Sequence, residues 1–394
     1  MQHFHIFLAI RGPCACSEQT STLLDTSSEK GAKIPLFGNS RTRKSESPEM
    51  RFSVIIPTYN RAHELRETLS SIGKLQVSAT WEVIVVDNNS TDTTREIILA
   101  AAKGFPVPLH YLFEPEPGRS AALNAGIKLA TGQIIATTDD DVRVEPDWLD
   151  RADAGLDREA CDFVGGKVLP IWGGERPAWL ANQGGRHWSV IALQDHGAKP
   201  VEFGSRYAPL GVNLAFKREA FERVGLWDTR IGRKAGTLLG QEVREWLLRA
   251  RAAGLKGMYI PEMIVHHLIP RDRLNKRYFR RWFYWHGISR AMLYQQSPID
   301  MLAPEDTTLD YSKVPHIMGV PRYLYRTFLG SAADMLKAKL AGREAASFDH
   351  ELWLCFFLGV WRQRWRDRNM PFGVMKDVRI YPNREARCSP KLPR

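Results

Sequence analysis

Three consecutive carboxylates, Asp139, Asp140 and Asp141, directly follow the apolar run 133–138. An apolar run rich in β-branched residues is typical of a buried strand, and open α/β sheets keep their ligand crevice at the carboxyl ends of the strands. Carboxylates this close repel one another and therefore need cations. Oxygen ligands on a short turn suit Mg²⁺ or Mn²⁺, which can bridge to a diphosphate. The alternative interpretation is a helix N-cap and turn before residues 142–146.

A further carboxylate, Asp87, follows the apolar run 81–86. At the same edge of a parallel sheet it would accept a hydrogen bond from a nucleotide base. The alternative is a turn residue that binds its own backbone. Pro57, Thr58 and Tyr59 follow the first predicted strand. We expect backbone groups there to line a base pocket with Tyr59 packed on the base, and a surface turn is the alternative.

Charged side chains with other chemistry occur farther along the chain. Arg119 begins a predicted helix and would attract an anion, although a simple capped helix fits equally well. Glu242 and Glu245 share one face of a later helix, and either is a candidate general base, although most such residues only complement the helix dipole. His266 and His267 point to opposite faces of a strand, so at most one would complete a carboxylate metal site. The alternative for this pair is an ordinary polar strand end.

Strands and helices alternate from residue 51 onward, which predicts a mostly parallel sheet wound with helices. The predicted strands are 53–56, 81–86, 109–113 and 133–138, and the helices between them are 63–72, 93–103 and 120–130. Residues 151–235 are less regular, and we expect them to form the half of the site that receives the acceptor. A helix over 241–253 and two short strands, 258–260 and 263–265, follow.

The C-terminal third of the chain is basic and aromatic. The net charge is +11, and from Arg271 onward 23 Lys and Arg residues occur against 12 Asp and Glu residues. Cations alternate with aromatic rings over 276–285, a pattern that favours contact with an anionic membrane surface. The alternative is a helical subdomain that caps the core, with aromatic rings inside and arginines outside. No nucleic-acid motif accompanies the charge, so we predict no nucleic-acid partner.

Composition predicts a globular protein, because 44% of the residues are apolar and 25% are charged. The five cysteines have no CxxC spacing, which argues against a disulfide framework or a zinc site. No apolar run approaches the ~18 residues that a membrane span needs. We therefore expect a cytoplasmic protein, with or without peripheral contact at the inner face of the cell membrane.

The first 50 residues lack sustained periodicity and are rich in Ser, Thr, Lys and Glu. This composition predicts a disordered leader. Met50 immediately precedes the first strand. A second hypothesis is therefore that translation begins at Met50 and that the leader is an over-extended reading of the gene.

Seven short segments of the chain together resemble family 2 glycosyltransferases. They are Ser53–Asn60, Val85–Asp92, Asn124–Gly126, Thr138–Asp141, Gly211–Asn213, Val224–Asp228 and Gly240–Glu242. Each is weak alone, but their order and spacing over residues 51–268 are specific. The resemblance implies a GT-A fold, which is a Rossmann-like, mostly parallel sheet flanked by helices, here followed by a C-terminal helical extension. It also implies a nucleotide-sugar donor, a UDP-sugar for preference, and inversion at the anomeric carbon.

The resemblance also assigns roles to individual residues. It makes Glu242 the catalytic base that activates a hydroxyl of a glycan or lipid-linked acceptor. The implied donor-binding residues are Pro57, Thr58, Tyr59, Asp87, Asn89, Arg119, Asp139 and Asp140. The implied ligands of Mg²⁺ or Mn²⁺ are Asp141, Asp139 and His267, and the implied acceptor residues are Asn213, Trp227 and Asp228. The implied division is a donor half over 51–150, an acceptor half over 151–268 and a basic aromatic extension over 269–394.

One departure from the family pattern keeps other functions open. The family has Glu then Asp where this chain has Gln241 then Glu242. A non-catalytic module that binds nucleotide sugars or glycans within a polysaccharide-synthesis complex is therefore an alternative. Nucleotidyl transfer is less favoured, because it predicts a Gly-rich, Arg-containing loop after the first strand, where residues 57–60 read Pro-Thr-Tyr-Asn.

Overall fold

The computed structural model describes residues 49–180, 186–204, 207–297 and 314–370. The leader predicted over residues 1–50 thus lies outside the described residues, apart from Glu49 and Met50. All the described residues belong to one compact unit. The predicted division of this unit at residue 269 stays a prediction.

Nine strands of the described residues form one sheet. They are β1 (Phe52–Thr58), β2 (Trp81–Asp87), β3 (Leu109–Phe113), β4 (Ile134–Thr138), β5 (Val142–Val144), β6 (Phe163–Trp172), β7 (Val201–Glu202), β8 (Asn213–Lys217) and β9 (Gly257–Ile269). Their order is β3-β2-β1-β4-β8-β6-β9-β5, and β7 pairs with β9. The first four strands are mutually parallel, and β8 joins them to the rest through antiparallel pairs. This arrangement confirms the mostly parallel α/β sheet.

Helices cover both faces of the sheet. They are α1 (Ala62–Ile72), α2 (Thr94–Ala102), α3 (Arg119–Leu129), α4 (Trp148–Arg158), α5 (Arg186–Val190), α6 (Arg218–Val224), α7 (Glu242–Ala252), α8 (Lys276–Gln296), α9 (Arg322–Leu340) and α10 (Glu344–Arg366). Every residue of β1 is buried. Val54 and Ile56 join one core cluster while Ile55 joins another, as expected where side chains alternate between two covered faces.

Strand β9 corrects the prediction of two separate short strands around Pro261. It runs unbroken past the proline, and its pairing with β6 shifts register between Gly166 and Lys167. The resulting bulge accommodates a proline, which has no N–H to donate. A Cβ atom at Gly166 would lie 1.8 Å from the Met263 carbonyl oxygen, so only glycine fits beside the bulge.

The C-terminal helices pack on the central sheet. Phe279 of α8 and Phe356 of α10 belong to the same buried cluster as Val54 of β1. Helices α8 and α10 cross closely, since a Cβ at Gly287 would lie 1.9 Å from the Phe356 oxygen and one at Gly359 would lie 1.9 Å from the Tyr284 oxygen. This arrangement matches the alternative of a capping helical subdomain. Among the described helices, none is both long and apolar enough to cross a bilayer.

A short hairpin lies between α8 and α9. Its strands are β10 (His316–Ile317) and β11 (Val320–Pro321), which pair antiparallel. A single 3₁₀ turn, Arg271–Arg273, connects β9 to α8. Arg273 of this turn lies 3.7 Å from Asp141, which places the turn beside the acidic triplet.

Candidate active site

A cleft of about 980 Å³ opens at the carboxyl ends of β1 and β4. Other parts of the chain also line it, including the start of α3, the segments 188–196 and 208–212, the loop 233–241 that leads into α7, and one side of α8. Ligand sites of open α/β sheets lie at this edge. The cleft is therefore the candidate site, and it includes the acidic triplet, Arg119, Glu242 and His267.

The three acids of the triplet have different partners. Asp139 accepts two hydrogen bonds from Arg119, at 3.0 and 2.7 Å. Asp140 accepts from the Thr58 hydroxyl at 2.8 Å and from Arg61 at 3.0 Å. Asp141 also pairs with Arg61 and lies 3.3 Å from His267 Nε2. The repulsion expected from adjacent carboxylates is thus offset by cationic side chains, of which Arg61 serves both Asp140 and Asp141.

The pKa values of the two buried acids, Asp140 and Asp141, are shifted in opposite directions. Burial raises the pKa of Asp140 to about 7, and the negative charge of Asp141 adds to this rise while Arg61 opposes it. Burial alone would also raise the pKa of Asp141, but His267 and Arg61, together with the charge of Arg273, outweigh it and lower that pKa. Of these two acids, Asp141 is the one that is held ionised.

His267 is oriented as a metal ligand would be. It is buried, and its Nδ1 lies 3.0 Å from the Ile191 carbonyl oxygen. Because a carbonyl oxygen can only accept, Nδ1 donates its proton to Ile191, and Nε2 is the ring nitrogen that faces Asp141. A hydrogen bond from the other ring nitrogen to a carbonyl is the usual support of a ligating histidine.

The donor set fits a hard divalent cation that is bound partly by its substrate. Among the described residues, no group of three or more His, Cys, Asp and Glu side chains is arranged to hold a metal on its own. Mg²⁺ is commonly held by one or two protein ligands, with phosphate oxygens and water completing its shell. Asp141 and His267 supply such a partial set.

Arg119 connects the triplet to the candidate base. In addition to its bonds with Asp139, it donates to the Gly211 carbonyl at 2.9 Å and lies 3.5 Å from Glu242 Oε1. Burial would lower the pKa of Arg119, but the charges of Asp139 and Glu242 raise it. The guanidinium therefore stays charged between the two ends of the cleft.

Helix α8 holds the loop that precedes Glu242. The Ser289 hydroxyl accepts from the Gly240 N–H at 3.2 Å, and Arg281 donates to the Gly236 carbonyl at 3.1 Å. Gln241, which has a left-handed backbone with φ of 81°, accepts from Arg290 at 3.4 Å. The C-terminal extension thus fixes the position from which α7 and its first residue begin.

Comparison with known proteins identifies the family. The model of glycosyl transferase family 2 matches residues 53–225. The chain is 30% identical to glycosyltransferase AglE of Haloferax volcanii, over 58% of this chain and 70% of that one. It is 33% identical to an uncharacterized glycosyltransferase of Mycobacterium bovis, over 51% of this chain and 79% of that one. The chain belongs to glycosyltransferase family 2.

Two further matches agree with this assignment. The glucosyl-dolichyl phosphate glucuronosyltransferase of Haloferax volcanii is 28% identical, over 65% of this chain and 79% of that one. A solved mannosyltransferase from Pyrobaculum calidifontis, in complex with GDP-Man and Mn²⁺, superposes with a TM-score of 0.54 at 21% identity and covers 81% of this chain and 90% of that one. The predicted GT-A fold is confirmed.

Of the residues expected to bind the nucleotide of the donor, some line the cleft and one lies in the interior. Pro57, Thr58, Tyr59 and Asn89 line the cleft, and 43% of Tyr59 is exposed there. Asp87 is buried, and its oxygens accept from the Ser90 N–H at 2.9 Å and the Tyr111 hydroxyl at 3.2 Å. These bonds hold the loop after β2, so the structure gives Asp87 the contacts of the turn alternative.

The three residues expected to contact the acceptor do not line the cleft. Asn213 is buried and bonds the Trp148 indole and two backbone carbonyls. Trp227 is buried in an aromatic cluster. Asp228 pairs with Arg230, which holds its pKa low against the effect of burial. For these residues the contacts in this family 2 chain are those of packing, since Asn213, Trp227 and Asp228 all bond or pack within the protein.

Glu245 and His266, the weaker members of their pairs, also have structural partners. Both carboxylate oxygens of Glu245 accept from Arg249, which also donates to two carbonyls after α6. His266 lies 2.7 Å from Glu145, on the opposite face of β9 from His267. This leaves Glu242 and His267 as the members of each pair that reach the cleft.

Sequence reasoning missed Arg61 and Arg273, the two arginines around Asp141. Burial opposes the charge of Arg61, but Asp140 and Asp141 raise its pKa. Arg273 lies 3.7 Å from Asp141. Arg61 directly follows the motif 53–60, so its place beside a strand end was a usable signal. Arg273 gave no local signal, because its position depends on the turn after β9.

Proposed function

We propose that this protein is an inverting glycosyltransferase that transfers a sugar from a nucleoside-diphosphate donor to a hydroxyl of a glycan or lipid-linked acceptor. The observation that carries the proposal is the composition of a single cleft. It contains an acidic triplet with a histidine at one end and a buried glutamate at the other, with Arg119 between them. Such a cleft can bind the diphosphate of a donor at one end and deprotonate an acceptor hydroxyl at the other.

In the proposed reaction, Glu242 accepts the proton of the acceptor hydroxyl as that oxygen attacks C1 of the donor sugar. The bond between C1 and the diphosphate oxygen breaks, and its electron pair leaves with the diphosphate. Arg119 lies between Asp139 and Glu242 and would stabilise the charge that grows on the leaving group. Attack from the face opposite the leaving group inverts the anomeric carbon.

We assign Asp141 and His267 as the protein ligands of a divalent cation, Mg²⁺ or Mn²⁺, with Asp139 as a further candidate. When bound, the cation would neutralise negative charge on the diphosphate. The orientation of His267 through Ile191 supports this assignment, as does the ionised state of Asp141. The related fold of a mannosyltransferase solved with Mn²⁺ is consistent with it.

The identity of the nucleotide in the donor is a separate part of the proposal. We prefer a uridine diphosphate donor on the family resemblance, while the solved mannosyltransferase contains GDP-Man. A thermal-shift panel of UDP, GDP and their sugars, with and without Mn²⁺, would identify the base and the metal requirement together. A rise in melting temperature that needs both nucleotide and metal is the expected result. Equal shifts for all nucleotides without metal would contradict the proposal.

The alternative of a non-catalytic binding module rests on Gln241. That residue bonds Arg290 at 3.4 Å and does not by itself remove the base, because Glu242 still lines the cleft. Release of free sugar from the donor separates the two functions. An enzyme would hydrolyse the donor slowly and lose this activity in Asp141→Ala, whereas a binding module would show no release above the buffer rate.

We also propose peripheral contact with an anionic membrane through α9 and α10. Leu329, Leu336 and Leu340 are exposed at helical spacing on α9, and Leu358, Trp361 and Trp365 are exposed at helical spacing on α10. Basic side chains at both helices accompany them, including Arg322, Arg326, Lys337, Lys339, Arg362 and Arg366. Exposed leucine and tryptophan beside basic residues suit a lipid interface. The free thiols of Cys161 and Cys355 are compatible with the cytoplasmic side of that membrane.

A further inference from the structure

One side of the cleft is formed by aromatic rings that belong to the C-terminal helices. Tyr278, Trp282 and His286 follow one another at four-residue spacing on α8, and Trp353 of α10 lies beside them in the cleft lining. We call these four residues the aromatic wall. All four are half-buried. The wall lies outside residues 151–268, where the sequence led us to expect the acceptor.

The aromatic wall is rigid. The Trp282 and His286 rings stack with centroids 4.6 Å apart and an angle of 13° between their planes. Trp353 packs edge-on against Phe356 at 5.3 Å, and His286 contacts the same phenylalanine at 5.6 Å. Offset and edge-to-face contacts of this kind are favourable and restrict rotation. A ligand that binds there would meet a preformed surface and lose little to ordering of the protein.

The wall is also uncharged near neutral pH. Burial, together with the positive charges of Arg290 and Arg244, lowers the pKa of His286 to about 3. The Trp282–His286 stack therefore presents neutral rings with N–H groups at their edges. Such a surface differs from the triplet end of the cleft, where carboxylates and arginines select for phosphate and metal.

The elements that form or face the aromatic wall also position Glu242 at one end of the cleft and His267 at the other. Helix α8 carries Trp282 and His286 as well as Ser289, whose hydroxyl binds the loop before Glu242. On the other side, the cleft-lining segment 188–196 supplies the Ile191 carbonyl that orients His267. In that segment the buried Trp188 Nε1 has no hydrogen-bond partner among the described residues. Buried donors without a partner are uncommon in native structures, and Trp188 belongs to the lining of the cleft.

From this arrangement we propose that the aromatic wall is the acceptor subsite, where Trp282 stacks on the apolar face of a pyranose ring. A sugar ring combines an apolar face with hydroxyl groups at its edge, which matches neutral rings with N–H edges in the cleft that also contains Glu242. A lipid chain would instead suit the aliphatic side chains that this wall lacks. The inference rests on the proposed function, because it names where the acceptor sugar of that reaction lies.

The test measures sugar binding separately from donor chemistry. Methyl glycosides of glucose, galactose and mannose are titrated against the full chain, saturated with UDP or GDP and Mn²⁺, by saturation-transfer NMR. We expect at least one glycoside to bind the wild type. Trp282→Ala should weaken that binding at least 10-fold, and Trp282→Phe should restore part of it. Trp361→Ala, which removes an exposed tryptophan from outside the cleft, should leave it unchanged.

Three results would overturn the subsite. They are no glycoside binding to the wild type, unchanged binding in Trp282→Ala, or binding of octanol in preference to every glycoside. Nucleotide-dependent thermal shift and donor hydrolysis are measured on the same variants, so that loss of glycoside binding is separated from loss of donor chemistry. If the wild type itself neither binds nor hydrolyses a nucleotide sugar, the proposed function fails. If only glycoside binding is absent, the subsite alone fails.

Discussion

Asp141 Oδ1 lies 3.3 Å from His267 Nε2, although the two residues come from opposite halves of the catalytic sequence. They meet because β5 pairs antiparallel with β9, which sets Val142 opposite His267. The acid at the end of one strand and the imidazole near the end of another are therefore neighbours by sheet register. A one-residue slip of this pairing would turn His267 away and present His266 instead.

The Asp141–His267 pair leads to a prediction about metal affinity. His267→Ala removes one proposed ligand, and we expect Mn²⁺ to bind at least about 10-fold more weakly in the presence of UDP or GDP, since even outer-shell changes at metal sites cost 10–100-fold. Calorimetry or electron paramagnetic resonance of Mn²⁺ would measure this. His266→Ala is the matched control, because that side chain pairs with Glu145 on the other face of β9. Equal metal affinity in both variants would remove His267 from the site.

Glu242→Gln is expected to reduce transfer about 10²–10⁴-fold, the usual contribution of a general base. Nucleotide binding should be retained, because Asp139–Asp141 and His267 are unchanged. Glu245→Gln is the informative comparison. It should lower the melting temperature, because it breaks the pair between Glu245 and Arg249. Its effect on turnover per folded molecule should be smaller than that of Glu242→Gln. If Glu242→Gln turned over like the wild type, another group would have to be the base.

The close crossing of α8 and α10 predicts that added volume there destabilises the protein. Gly287→Ala or Gly359→Ala would place a methyl group against a carbonyl oxygen, and we expect a loss of about 1–3 kcal/mol in the free energy of unfolding. Gly330→Ala is the control, since a Cβ there meets no atom within 4 Å and alanine favours a helix by about 1 kcal/mol. Thermal or urea unfolding should show opposite signs for the two kinds of variant. A gain in stability for Gly287→Ala would show that the helices do not cross so closely.

The exposed leucines of α9 predict salt-sensitive binding to anionic vesicles. Leu336→Glu combined with Leu340→Glu should abolish flotation with phosphatidylglycerol vesicles at low salt, because it removes apolar contact and adds negative charge. Leu99→Glu changes a comparably exposed leucine on α2 and should have no effect. Neutral phosphatidylcholine vesicles should bind neither protein strongly. Self-association lost in the double variant, with no vesicle binding by the wild type, would make this face a protein interface instead.

Much of the fold could be predicted because its signals are local. Apolar runs such as 81–86 mark buried strands, and the alternation of strands with helices leaves few arrangements other than a parallel sheet. The acids after β4 could be placed at the ligand edge on the same grounds. The prediction was wrong at Pro261, since a bulge that lets a strand continue past a proline depends on the partner strand, where Gly166 leaves the room.

The sequence by itself determined the sheet, the family and the acids at the strand end. Which side chains face the cleft was decided only by the tertiary structure. Arg61 and Arg273 reach Asp141 from a loop and a turn that are distant in sequence, and Asn213 turned inward with the register of β8. The tertiary structure also decided the role of the C-terminal helices, because their basic and aromatic composition is compatible with either a membrane-binding face or a cap on the core. Packing of α8 on the loop before Glu242 makes it part of the site, because a helix acquires its neighbours only when long-range contacts form.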